Sequence, residues 1–171
     1  MTETFERHHP NIEALHHEFR TGPCFVCQIV AGDTRYPAHI VYEDHDKIAF
    51  LDKYPRQYGY TLVAPKVHLE QVTSDFGVEG YLELQRLVYD VSEAIRAEVG
   101  AERMYIFTFG SNQGNAHAHW HVAPLPPGTP YREQQMKAVS WRKGVLEIPD
   151  GEMRDLASRL KSKLEERYIG L

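Results

Sequence analysis

The sequence predicts an α+β fold, an antiparallel sheet of about five strands with a long helix and a C-terminal helix. Short runs rich in β-branched and aromatic residues lie next to one another with turn residues between them, the pattern of hairpins rather than of strands joined by long crossovers. Helical periodicity is confined to a short N-terminal stretch and two longer segments, 75 to about 98 and 150–168, so strands and helices do not alternate as a doubly wound sheet requires. The chain of 171 residues is 42% hydrophobic and 25% charged, which excludes disordered and collagen-like classes and suits a single globular unit.

Taken in order, Ile12, Leu15 and Phe19 follow Asn11 at helical spacing and predict a short amphipathic helix within an N-terminal extension, residues 1–22. His8, His9, His16 and His17 read as solvated residues there. Residues 38–43 and 47–52 are two β-rich runs joined by Asp44-His45-Asp46, a hairpin. A third run, 60–64, is stopped by Pro65. The long helix carries Leu82, Leu84, Leu87, Val88, Val91 and Ile95 at three- and four-residue steps, with Gly100 as its stop. Strands follow at 104–109 and 118–124, closing a core domain of residues 23–126. A C-terminal extension, 127–171, contributes a second amphipathic helix through Met153, Leu156, Leu160 and Leu164, packed on the same domain. No apolar run approaches the roughly 20 residues of a membrane span. Residues 1–20 carry charges and histidines in place of a signal-peptide core, so a cytoplasmic protein with no membrane partner is expected. A net charge of -5 argues against nucleic acid as a partner and points to a small molecule.

Three of the ten histidines fall in one five-residue window, His117, His119 and His121. On a strand, alternate residues share a face about 6–7 Å apart, so three imidazoles would line one side while Ala118, Trp120 and Val122 enter the core. Such a row points to metal binding or phosphorus chemistry rather than to structure alone.

The segment His117-Ala118-His119-Trp120-His121-Val122-Ala123 resembles the His-x-His-x-His motif of the histidine triad (HIT) nucleotide hydrolases and transferases. Residues 47–55 resemble the strand ending at that family's ribose-binding acid, here Asp52, and residues 62–68 the segment carrying its other common histidine, here His68. The resemblance covers roughly residues 24–124. It implies a HIT-like fold, a homodimer formed by joined sheets, and His119 as the nucleophile. The chain departs from the family before the triad, where Ser111-Asn112-Gln113-Gly114-Asn115 replaces a longer glycine-rich loop. Gln113 keeps the family glutamine's offset, and Asn112 stands in place of glycine.

The chemistry of the residues agrees. Neutral imidazole is a good nucleophile near pH 7 and can carry a nucleotidyl group that water then removes. His121 would donate to a phosphate oxygen or the leaving group, Asp52 would accept the ribose hydroxyls, and Asn112 and Gln113 could hold phosphate oxygens. Ile29, Phe50 and Leu51 are either base-pocket residues or plain core. Dinucleoside polyphosphate hydrolysis is the leading activity, because the chain continues past the triad through residues 131–135 and a terminal helix that could hold a second nucleotide. Nucleoside phosphoramidase, nucleotidyltransferase and a non-catalytic nucleotide-binding protein are the alternatives.

Both cysteines lie in Cys24-Phe25-Val26-Cys27, and no strand precedes them as a thioredoxin-like redox motif needs, so zinc is favoured over redox chemistry. Many bacterial histidine triad proteins and the related galactose-1-phosphate uridylyltransferases bind zinc through such a pair, the histidine after Pro-Lys and the first triad histidine. That resemblance implies a structural zinc on Cys24, Cys27, His68 and His117.

Overall fold

The structure, a computed structural model, describes residues 5–109 and 116–169. A two-residue strand β1 (Arg7–His8) leads to α1 (Ile12–Thr21), and α2 (Phe25–Val30) follows. The sheet strands β2 (Ile40–Glu43), β3 (Lys47–Leu51) and β4 (Thr61–Pro65) precede the long α3 (Val78–Val99). β5 (Arg103–Phe107), β6 (Trp120–Leu125), the short β7 (Val145–Leu146) and α4 (Asp150–Ile169) complete the chain. The five-stranded sheet has the order β2-β3-β4-β6-β5, antiparallel throughout, and β1 pairs with β7 in a separate ladder.

Local signals account for most boundaries. The Asn11 side chain accepts from the Ala14 backbone N–H at 3.0 Å and caps α1. Gly100 ends α3 at φ 65°, a left-handed conformation that glycine adopts without strain. β3 and β4 are almost uninterrupted apolar runs because both faces of the sheet are covered. Ala49, Leu51, Val63, Trp120 and Val122 pack against α3 and α4, whereas Ile48, Phe50, Leu62 and Ala64 pack against Val26 of α2 and Val139. The two long helices read from the sequence cover one side; α2, too short to show periodicity, covers the other. Leu156, Leu160 and Leu164 of α4 are buried against α3 and the sheet, each worth about 1.5–3 kcal/mol as a buried aliphatic side chain.

Two expectations shift in detail. Five of the six apolar residues predicted for the long helix are buried within the chain's own core, and Leu82 alone faces outward, 60% exposed. The strand predicted from residue 118 begins at Trp120, where pairing with Val63 of β4 starts. Before it, the Ala118 N–H bonds the Leu69 carbonyl at 2.6 Å, drawing residues 117–119 off the ladder toward the loop after β4.

Candidate functional site

That departure divides the three histidines between two neighbouring sites. His117 is fully buried and turned toward the cysteines. His119 and His121, with ring centres 4.8 Å apart, line a cavity of about 470 Å3 that is also bordered by Asp52, Arg56, Phe107 and Trp141. The single row of three imidazoles read from strand alternation is therefore replaced by one ring in the first site and two in the second. Ala118, Trp120 and Val122 do enter the core.

In the first site, α2 brings Cys24 and Cys27 beside His68, just beyond β4, and His117. Cys24 Sγ lies 3.4 Å from His117 Nδ1, and Cys27 Sγ lies 3.3 Å from His68 Nδ1 and 3.6 Å from His117 Nδ1. All four donor atoms fall within 4.8 Å of one another. A tetrahedral zinc with bonds of about 2.3 Å to sulfur and 2.0–2.1 Å to nitrogen sets S···N separations near ~3.5 Å, so the donor set fits that ion. The tautomers fit as well. His117 Nε2 donates to the Pro65 carbonyl at 2.9 Å and His68 Nε2 to the Glu70 carboxylate at 3.2 Å, which leaves both Nδ1 lone pairs facing the sulfurs. Burial pushes the His117 imidazole down to about 4, keeping it neutral. Burial and then the neighbouring Cys24 raise the Cys27 thiol to about 11, so two thiolates need a cation between them. These residues could hold a metal ion.

The second site is built on the edge of the first. The His119 Nδ1–H donates to the His117 carbonyl at 2.7 Å, and because a carbonyl only accepts, the His119 Nε2 lone pair is left free. His121 is stacked on Phe107, with ring centres 4.8 Å apart and planes at 14°, and its Nδ1 lies 3.1 Å from the Tyr60 hydroxyl. Burial lowers the imidazole pKa of both. For His121 any proton taken up by His119, and the positive charge of Arg56, add to the effect. Burial raises the Tyr60 phenol, which therefore keeps its proton.

Asp52, at the end of β3, is 7% exposed. Its Oδ1 accepts from the Tyr54 N–H at 2.9 Å and its Oδ2 is paired with Arg56 at 3.2 Å. A carboxylate has about four acceptor positions, so one remains on each oxygen, the number a cis-diol uses. Asp52, Tyr54, Phe25 and Leu62 also border an adjoining cavity of about 340 Å3 lined by Ile29, Pro37, Phe50 and Leu51. The three residues left between core and pocket in the sequence therefore line a cavity. Both volumes are of the size that holds small ligands.

Asn112 and Gln113 lie outside the described residues. Arg56, Tyr60 and Trp141 escaped the sequence reading, since nothing local marks a loop arginine as buried or places residue 141 beside residue 56. His16, read from the sequence as solvated, is half-buried and borders the triad cavity together with Phe19 of α1.

The profile of the HIT domain family matches residues 33–127. The protein Hit of Bacillus subtilis is 37% identical over 146 residues, covering 82% of this chain and 94% of its own. Adenosine 5'-monophosphoramidase of Schizosaccharomyces pombe is 28% identical, covering 83% of this chain and 98% of its own. Among solved structures, a Zn-bound histidine triad family protein from Mycobacterium smegmatis aligns with TM-score 0.68 at 26% identity, over 86% of this chain and 97% of its own. A histidine triad nucleotide-binding protein from Sulfolobus tokodaii aligns with TM-score 0.67 at 28% identity, over 84% and 93%. Fold, site and match define a histidine triad protein. The chain belongs to the HIT domain family.

The matched segment leaves α2, with both cysteines, and everything after residue 127 outside it. Among the described residues, no helix is long and apolar enough to cross a membrane.

Proposed function

We propose that this chain is a nucleotide hydrolase working through a nucleotidyl-histidine on His119, with zinc held by Cys24, Cys27, His68 and His117. The observation that carries the reading is the His119 tautomer, a bare Nε2 beside the cavity with Nδ1–H bound to the His117 carbonyl. The base enters the cavity of Ile29 and Phe50, and Asp52 holds the ribose. His119 Nε2 attacks the α-phosphorus, a P–N bond forms, and the bond to the leaving group breaks. The His117 carbonyl stabilises the positive charge that develops on the ring. With the Tyr60 hydroxyl donating to Nδ1, His121 carries its proton on Nε2 and donates to the phosphate or the departing oxygen. Water then attacks phosphorus, the P–N bond breaks, and a nucleoside monophosphate leaves. A zinc ion held by Cys24, Cys27, His68 and His117 would fix the His117 ring, and the His117 carbonyl in turn orients His119.

Dinucleoside polyphosphates are the proposed substrates, because Met136, Ser140 and Trp141 of the C-terminal extension line the triad cavity and offer surfaces to a large leaving group, whereas residues 131–135 and α4 are not among its lining. Phosphoramidates are the second reading, favoured by the activity that names the fission-yeast relative. Product analysis with diadenosine polyphosphates, an adenosine phosphoramidate, and a nucleotide plus phosphate separates hydrolase, phosphoramidase and transferase. His119→Asn should lose on the order of 10³-fold or more in turnover while still binding nucleotide. Rapidly quenched wild-type protein alone should show a nucleotide adduct within residues 117–124. Near wild-type turnover by His119→Asn on every substrate would rule out the covalent route.

A further inference from the structure

We infer that Arg56 is the residue that recognises negative charge on the leaving group, so that the site favours substrates whose departing part is a phosphate chain. Among the described residues lining the triad cavity, Arg56 is the one permanently charged cation. It follows Pro55 in the loop after β3, and its side chain is only 6% exposed. One nitrogen, Nη1, is shared between Asp52 Oδ2 and the Tyr54 carbonyl, each at 3.2 Å. The guanidinium carbon lies 4.1 Å from the centre of the Tyr60 ring and 4.9 Å from that of Trp141. Nε is buried and has no hydrogen-bond partner among the described residues.

A buried guanidinium with an unused N–H is costly unless something completes it, and a phosphate oxygen is the acceptor that its planar fork matches best. Position says which phosphate. Arg56 rests on Tyr60, whose hydroxyl touches His121, the triad residue proposed to face the departing oxygen. It does not line the adjoining cavity of Ile29 and Phe50, where the base is placed. Its place is thus beyond the α-phosphorus as seen from the base, beside Trp141. This rests on the proposed orientation of the nucleotide, and the test is chosen to separate the two.

The zinc-loaded protein and its Arg56→Gln variant would be titrated calorimetrically with AMP and with α,β-methylene-ADP, which adds one uncleavable anionic group beyond the α-phosphate. Wild type should bind the methylene analogue more tightly than AMP, and Arg56→Gln should lose about tenfold or more on the analogue, the scale of one charge-assisted hydrogen bond, with AMP nearly unchanged. In turnover, the ratio of kcat/KM for diadenosine tetraphosphate to that for adenosine phosphoramidate should fall about as much. Equal weakening of both ligands would mean that Arg56 acts only by positioning Asp52, and no weakening would make it purely structural; either result overturns the inference. If neither substrate is turned over, the proposed reaction fails while the titrations still decide Arg56. If Arg56→Gln does not fold, Arg56→Lys decides: it keeps the charge, lacks Nε, and should weaken the analogue selectively.

Discussion

Replacing Cys24 with serine should strip zinc from the chain and lower its melting temperature by about 5–15 °C. The substitution isolates the metal, because Cys24 Sγ also accepts from the Cys27 N–H at 3.5 Å as the cap of α2, and serine is a good cap. What serine cannot do is supply a soft thiolate 3.4 Å from His117 Nδ1. With zinc at 100 to 1,000 times its dissociation constant, binding stabilises the native state by about 2.7–4.1 kcal/mol. Without metal the His117 Nδ1 can still accept from the Cys24 or Cys27 thiol at 3.4 or 3.6 Å, so the cost of losing zinc is the binding figure alone. At about 2–4 °C per kcal/mol for a chain of this size, the shift above follows. The measurements are elemental analysis of protein purified without chelator and thermal melts with and without EDTA. One zinc per wild-type chain is expected, EDTA should bring wild type down to the variant, and the variant should ignore EDTA. Activity should fall with the metal even below the melting transition, because the His117 carbonyl holds the His119 Nδ1–H at 2.7 Å. Zinc-free wild type, or a variant melting with wild type, would refute the reasoning.

Two further outcomes are expected. Because His121 stays neutral in the fold well below the ordinary imidazole value, the unfolded chain takes up its proton first as pH falls, so stability is present above about pH 6.5 and lost below it. Denaturant unfolding between pH 7.5 and 5.5 should show wild type losing up to about 1.4 kcal/mol per pH unit more than His121→Gln, and identical slopes would exclude this account. The chain should also sediment as a homodimer of twice its 19.7 kDa mass, joined through the edge strand β5 and the outer face of α3, where Ile106, Val78, Leu82 and Tyr89 are exposed. A compact monomer at micromolar concentration would refute it.

Features that depend on near neighbours were legible in the sequence. The Asn11 cap, the apolar face of α4, the hairpin of β2 and β3, and the Gly100 stop each express a preference satisfied within a few residues. The two side-chain clusters also left local marks, a Cys-x-x-Cys pair and three alternating histidines. The division of labour among those histidines was not local. Strand alternation put all three on one face, whereas the bonds from the Ala118 N–H to Leu69 and from His117 Nε2 to Pro65 hold His117 toward cysteines 90 and 93 residues earlier in the chain. α2 was hidden because six residues cannot display a helical period, and the burial of Arg56 because it depends on a tryptophan 85 residues downstream. Propensity and periodicity act over one or two turns, whereas the convergence of two cysteines and two histidines, or of an arginine on two rings, is settled by how whole elements pack. Tertiary structure therefore decided which nitrogen each imidazole leaves free, and with it which ring faces the cysteines and which faces the cavity.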